Sequence, residues 1–166
     1  MIREMTVDDR NSLDAMQFEL QKHLSNVDRS GESLSYENMD AAHQYMEKML
    51  NDVATKNGKV FVAEEADEVV GFIQGVIFDY PKGANEIYDL SHAPAKEGWI
   101  GLLYVKPEYR GRNIGQQLLD EMRGYFKSQD CTCVKLLVLA GNSNARSIYE
   151  EYGFSYHNLE MVLPMH

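Results

Sequence analysis

The sequence predicts one domain of mixed α/β class. Three observations carry that reading. The 166 residues suffice for one hydrophobic core and not for two. Stretches of helical and of strand-type hydrophobic spacing alternate along the chain. No internal repeat or low-complexity linker separates them, so residues 1–166 read as a single domain.

The elements follow in order. Ile2 to Met5 reads as a short opening strand. Thr6, with Asp9 three residues later, resembles a helix start in which an acidic side chain reaches back to free N–H groups. Leu13, Met16, Leu20, Leu24 and Val27 then recur at helical spacing, and the stretch from Asp28 to Ser35, which contains Ser30-Gly31-Glu32-Ser33, breaks the pattern. A second amphipathic helix runs through Met39, Ala42, Met46, Met49, Leu50 and Val53 and stops near Asn57-Gly58. Its methionines read as core filling. Lys59 to Glu64 and Glu68 to Phe78 read as strands joined by a hairpin, with Gly71 and Gly75 marking bulges. Asp79 to Gly98, broken by Pro81, Gly83 and Pro94, is expected to be a long loop.

Trp99 to Val105 is the next strand, ended by Lys106-Pro107. Ile114, Leu118, Leu119, Met122, Tyr125 and Phe126 mark a third helix. Val134 to Leu139 is an almost unbroken apolar run, the mark of a strand covered on both faces. A short helix fits Asn144 to Tyr152, closed by Gly153, and Ser155 to Leu163 reads as a last strand.

Composition narrows the function. Hydrophobic residues make up 44% and charged residues 25%, as in a soluble globular protein. No stretch approaches the roughly 20 apolar residues of a membrane span, so no membrane partner is expected. Met1-Ile2-Arg3-Glu4 lacks the apolar core of a secretion signal, which makes the cytoplasm the expected compartment. A formal charge of −10 argues against nucleic acid and weakly favours a cationic ligand. Cys131 and Cys133 have no second pair or histidine cluster nearby, so no metal is expected and the thiols read as buried or half-buried.

One turn carries chemistry. Val105-Lys106-Pro107-Glu108-Tyr109-Arg110-Gly111-Arg112-Asn113-Ile114-Gly115-Gln116 joins a strand to a helix. A helix start has unpartnered N–H groups and a partial positive charge, so it attracts anions. Gly111 and Gly115 permit close approach of a ligand, and Lys106, Arg110 and Arg112 concentrate positive charge. An ordinary turn with solvated basic side chains is the plain alternative.

The spacing fits neither the nucleoside-triphosphate loop nor the dinucleotide glycine motif. Arg110 to Gly115 does resemble the Arg/Gln-x-x-Gly-x-Gly/Ala signature of the GNAT superfamily of N-acetyltransferases, with Asn113 in place of the middle glycine. A second stretch agrees: Asn142, Ala145, Tyr149, Gly153 and Phe154 match the family's Asn-x-x-Ala-x-x-x-Tyr-x-x-x-Gly-Phe. The resemblance is good from Lys59 onward and only general over the first two helices.

The resemblance implies a central mixed, mostly antiparallel sheet of about six to seven strands with helices on both faces. It implies acetyl-coenzyme A as cosubstrate and a primary amine, on a small molecule or a peptide, as acceptor. Leu103, Tyr104 and Val105 would lie along the pantetheine arm, and a main-chain N–H there would face the thioester carbonyl. The amides of Arg110, Gly111, Arg112, Asn113, Ile114, Gly115 and Gln116 would hold the pyrophosphate. Asn142 would contact the coenzyme or fix the following helix. Tyr149 would protonate the departing thiolate as general acid.

Many relatives place the general base where this chain has Trp99, which accepts no proton. Glu97 is therefore the first candidate base, followed by His92, Asp89 and Glu86. Cys131 and Cys133 lack a local base, so direct attack in a ternary complex is expected. The acceptor pocket would draw on Glu32, Glu37, Asp40, Asp79, Glu86, Asp89 and Glu97. Homodimers are common in the family. A second reading keeps the acyl-coenzyme A site in a catalytically weak or regulatory domain.

Overall fold

A computed structural model describes residues 1–28, 38–80 and 96–163. The expected turn at Ser30–Ser35, the acidic residues Glu32 and Glu37, and the loop candidates Glu86, Asp89 and His92 lie outside these residues.

The strands are β1 (Ile2–Glu4), β2 (Lys59–Glu65), β3 (Glu68–Asp79), β4 (Lys96–Val105) and β5 (Cys133–Leu136). The helices are α1 (Arg10–Val27), α2 (Met39–Thr55), α3 (Ile114–Ser128) and α4 (Ser143–Tyr152). The strands form one sheet in the order β1-β2-β3-β4-β5. The first three pairings are antiparallel and β4 with β5 is parallel. The mixed α/β class and the mostly antiparallel sheet therefore stand as the sequence predicted.

Local chemistry accounts for the element boundaries. The Thr6 N–H donates to the Asp9 carboxylate at 2.7 Å, the reach-back expected of that pair, and Arg3 clamps the same carboxylate at 2.7 and 2.8 Å. Asn38 caps α2 by accepting the Ala41 N–H at 3.1 Å. The β2–β3 hairpin turns at Ala66 and Asp67, both with positive φ (49° and 65°), as a tight right-twisting hairpin requires.

Each face of the sheet carries its own core. Leu13, Met16 and Leu20 of α1 and Met46 and Met49 of α2 pack on Val60, Val62, Phe72, Leu102 and Tyr104. Ile114, Leu118, Leu119, Met122 and Phe126 of α3 pack on Phe61, Val70, Ile73, Ile77 and Ile100 on the other face. Each such side chain contributes about 1.5–3 kcal/mol by leaving water. The third helix sits very close to the sheet: a Cβ on Gly98 would lie 2.5 Å from the Phe126 ring.

Three expectations change. The sheet of the described residues has five strands, not six to seven, because Ser155–Leu163 forms no ladder. The alternation of Leu159, Met161 and Leu163 looks strand-like, but all three are exposed and face no apolar partner. The fifth strand is shorter than the run Val134–Leu139. It stops at Leu136, and Leu137 is 84% exposed, so its end is not covered on both faces. The loop expected to reach Gly98 is shorter too. Lys96, Glu97 and Gly98 pair with Asp79, Phe78 and Ile77, which places Glu97 inside β4.

Candidate active site

The site begins where β4 and β5 part company. Their pairing covers Glu97–Ile100 against Cys133–Leu136 and ends there, while β4 continues to Val105 along β3 alone. The register with β3 slips between Gln74 and Gly75, so Gly101 is an extra residue in β4. Beyond this bulge, the side of β4 at Leu103, Tyr104 and Val105 that faces away from β3 has no paired strand among the described residues. The result is a slot bounded on one side by main chain.

Below the slot lies the strand-to-helix turn. Pro107–Tyr109 makes a single 3-10 turn, closed by the Arg110 N–H on the Pro107 carbonyl at 3.2 Å. Gly111 has φ of +77°, and Asn113 adopts the left-handed conformation (φ 60°, ψ 14°) directly before α3. Asn tolerates this conformation better than other side chains, so the turn keeps its shape without the middle glycine. The first helical hydrogen bond is Gln117 N–H to the Asn113 carbonyl at 3.0 Å. Among the described residues the amides of Gly111, Arg112, Asn113, Ile114, Gly115 and Gln116 have no acceptor, whereas the Arg110 amide is already used. Space above the glycines is open: a Cβ on Gly111 would meet nothing within 4 Å, and one on Gly115 only Val105 at 4.0 Å.

Three cations surround the turn, and their states differ. Lys106 pairs with Glu68 at 2.5 Å and Arg112 with Glu65 at 3.2 Å, so the hairpin turn neutralises both. Arg110 instead donates from Nε to the Val105 carbonyl at 2.9 Å and lies 5.7 Å from the Tyr104 ring centroid. It has no carboxylate partner among the described residues.

Asn142 caps α4, its side-chain oxygen accepting the Ala145 N–H at 3.3 Å. It thus does one of the two jobs the sequence left open, fixing the helix that carries Tyr149. Gly153 ends α4 with φ of +110°. Tyr149 packs edge-on against Phe154 at 5.8 Å. Burial pushes its phenol up to about 12, so it stays protonated across the neutral range.

Glu97 lies on the sheet face opposite α3, since its neighbour Gly98 faces Phe126. Its side chain is 5% exposed and pairs with Lys135 Nζ at 2.6 Å. The other oxygen accepts the Trp99 indole N–H at 3.3 Å. Trp99 meets Phe78 edge-on at 6.0 Å, and Lys135 Nζ stands 5.9 Å from its ring centroid. Lys135 was not singled out by sequence reasoning. The signal available was a charged residue inside the apolar run Val134 to Leu139. The thiols were expected to be buried or half-buried; Cys131 is half-buried, but Cys133, at the start of the edge strand β5, is exposed. Both thiols are pushed up by desolvation, that of Cys133 further by the adjacent Glu97 carboxylate. No cluster of metal-binding side chains occurs among the described residues.

The fold is one that solved acetyltransferases share. A mutant of the BH1408 protein from Bacillus halodurans superposes with a TM-score of 0.82 over 99% of both chains at 20% identity. A Clostridium acetobutylicum protein described as a predicted acetyltransferase and solved with acetyl-coenzyme A gives 0.70 over 99% of this chain and 95% of that one at 18% identity. The family model described as "Acetyltransferase (GNAT) family" matches residues 25–154, and the chain belongs to that family. Among curated relatives, the mycothiol acetyltransferase of Acidothermus cellulolyticus is 28% identical over 102 residues, 61% of this chain and 31% of that protein. The bovine thialysine N-epsilon-acetyltransferase is 35% identical over 51 residues, 31% of this chain. That match spans 30% of the bovine protein's length.

Proposed function

We propose that the protein transfers an acetyl group from acetyl-coenzyme A to a primary amine of a small molecule or peptide, by direct attack in a ternary complex. The observation that carries this reading is the row of acceptor-free amides from Gly111 to Gln116 at the foot of the slot between β4 and β5. Helix-start amides of this kind bind phosphate oxygens, and the main-chain edge of Leu103, Tyr104 and Val105 that faces away from β3 leads away from them.

Acetyl-coenzyme A supplies an activated acetyl thioester. The amides of residues 111–116, with Arg110 beside them, hold its pyrophosphate. An N–H of β4 past the bulge stabilises negative charge that develops on the carbonyl oxygen. Glu97 takes a proton from the acceptor ammonium, directly or through a water, and the freed nitrogen forms the new amide bond. Tyr149 gives its proton to the sulfur as the carbon–sulfur bond breaks, a donor role suited to a phenol held protonated by burial, and the second proton of the nitrogen restores the phenol through water. Both cysteines are poor nucleophiles at neutral pH because their thiols are pushed up. That favours direct attack over an acetyl-enzyme.

Calorimetric titration with coenzyme A tests the binding half of this reading. Gly115→Asp places a carboxylate among the amides at a position with room for a side chain. It should weaken binding by about tenfold or more while leaving the unfolding midpoint nearly unchanged. Equal affinity in the two proteins would contradict the assignment.

A further inference from the structure

The residues around Glu97 form a cation site that the chain fills with its own side chain. Glu97 is buried and Lys135 supplies its counter-charge at 2.6 Å. Trp99 donates its N–H to the second carboxylate oxygen, and its ring faces the same ammonium. A second lysine, Lys56, stands 5.2 Å from the ring centroid of Phe78, which itself contacts Trp99. An anionic oxygen beside aromatic faces recognises an alkylammonium by charge, hydrogen bonding and cation–π attraction.

Lys135 reaches this site from the open end of the sheet. It lies on β5 opposite Trp99, one residue before pairing with β4 ends at Leu136, and its side chain is 29% exposed. Solvent therefore reaches part of the side chain that carries the ammonium. The buried carboxylate tolerates loss of a cation poorly, because an uncompensated charge away from water is costly. Exchange of one ammonium for another leaves that charge compensated throughout.

We infer that Lys135 is an internal stand-in for the acceptor, and that the acceptor is a primary alkylammonium on an unbranched chain which displaces Lys135 Nζ from Glu97 and lies along Trp99. The site's role in transfer rests on the function proposed above; the cation site itself does not. Trp99 is the only tryptophan in the chain, so its fluorescence reports on the exchange directly.

The test is a fluorescence titration of the wild-type protein with n-butylammonium, with and without coenzyme A, using 1-butanol and tetramethylammonium as controls. A saturable change with butylammonium alone is expected. Lys135→Met, which keeps the alkyl stem and removes the competing charge, should bind butylammonium about tenfold more tightly. Glu97→Gln should abolish the response. Absence of a saturable wild-type response under both conditions would overturn the inference, as would unchanged affinity in a folded Lys135→Met protein. The wild-type arm decides the matter if that variant does not fold. Butylammonium binding without coenzyme A binding would leave the cation site standing and remove the transfer reading; the reverse result would do the opposite.

Discussion

Arg110 Nε donates to the Val105 carbonyl at 2.9 Å, tying the turn that precedes α3 back to the last residue of β4. The bond holds a cation that has no carboxylate partner among the described residues, beside six amides that have no acceptor among them. Arg112, two residues on, spends its charge on Glu65. Arg110→Ala should therefore weaken coenzyme A binding by about tenfold, the scale of one charge-assisted hydrogen bond. Arg112→Ala should weaken it less. Calorimetry on the two variants gives the ranking, and the opposite order would show that the ion pair to Glu65 opens on binding.

Tyr149→Phe should lower kcat by about a hundredfold while leaving coenzyme affinity within a factor of two, if the phenol acts as general acid. The wild-type pH profile adds an independent check. With its phenol pushed up to about 12 by burial, Tyr149 should produce no falling alkaline limb in kcat below about pH 11. Unchanged turnover in the Phe variant would reduce Tyr149 to packing against Phe154.

Gly98 and Phe126 set the spacing between the sheet and α3. A methyl group at Gly98 would sit 2.5 Å from the ring, so Gly98→Ala must push the helix outward or turn the ring from its rotamer. A loss of about 1–3 kcal/mol is expected, read from the midpoint of urea unfolding at constant slope. Gly124→Ala, where a Cβ meets nothing within 4 Å, is the matched control and should be neutral or slightly stabilising.

Asp9 links the start of the chain to the sheet, and its contribution depends on pH. The Arg3 hydrogen bonds, opposed by burial and aided by Thr6, hold its carboxyl at about 2, below the ordinary 3.8. A carboxylate with a lowered value stabilises the fold above its unfolded pKa, and that stabilisation is lost as pH falls through the folded one. The contribution is about 2 kcal/mol at neutral pH and disappears between roughly pH 4 and pH 2. Asp9→Asn should show this loss at pH 7 and a shallower acid limb. Equal slopes between pH 4 and pH 2 in both proteins would contradict the account.

Much of this was legible in the sequence wherever the cause is local. The Thr6–Asp9 pair, the Asn57-Gly58 stop, the glycine-bearing turn and the helix ended by Gly153 all depend on residues within a few positions of one another. The rest depends on pairing across the chain. Lys96 to Gly98 looks like the end of a loop, yet it is strand because Ile77, Phe78 and Asp79 lie opposite it. Ser155 to Leu163 has strand-like alternation, yet alternation makes a strand only where a neighbour supplies hydrogen bonds. Glu97 was a candidate by its closeness to the strand; that Lys135 and Trp99 occupy its two oxygens follows from the β4–β5 register, which no local pattern encodes.

Release of free thiol from acetyl-coenzyme A, followed as a function of added amine, separates transfer from binding alone. Release should saturate with unbranched primary alkylamines, stay at the hydrolytic background without amine, and fall sharply in Gly115→Asp and Glu97→Gln. Tight coenzyme A binding with no amine-dependent thiol release across primary amines of small molecules and peptides would contradict it, and would identify the slot between β4 and β5 as a binding site without transfer.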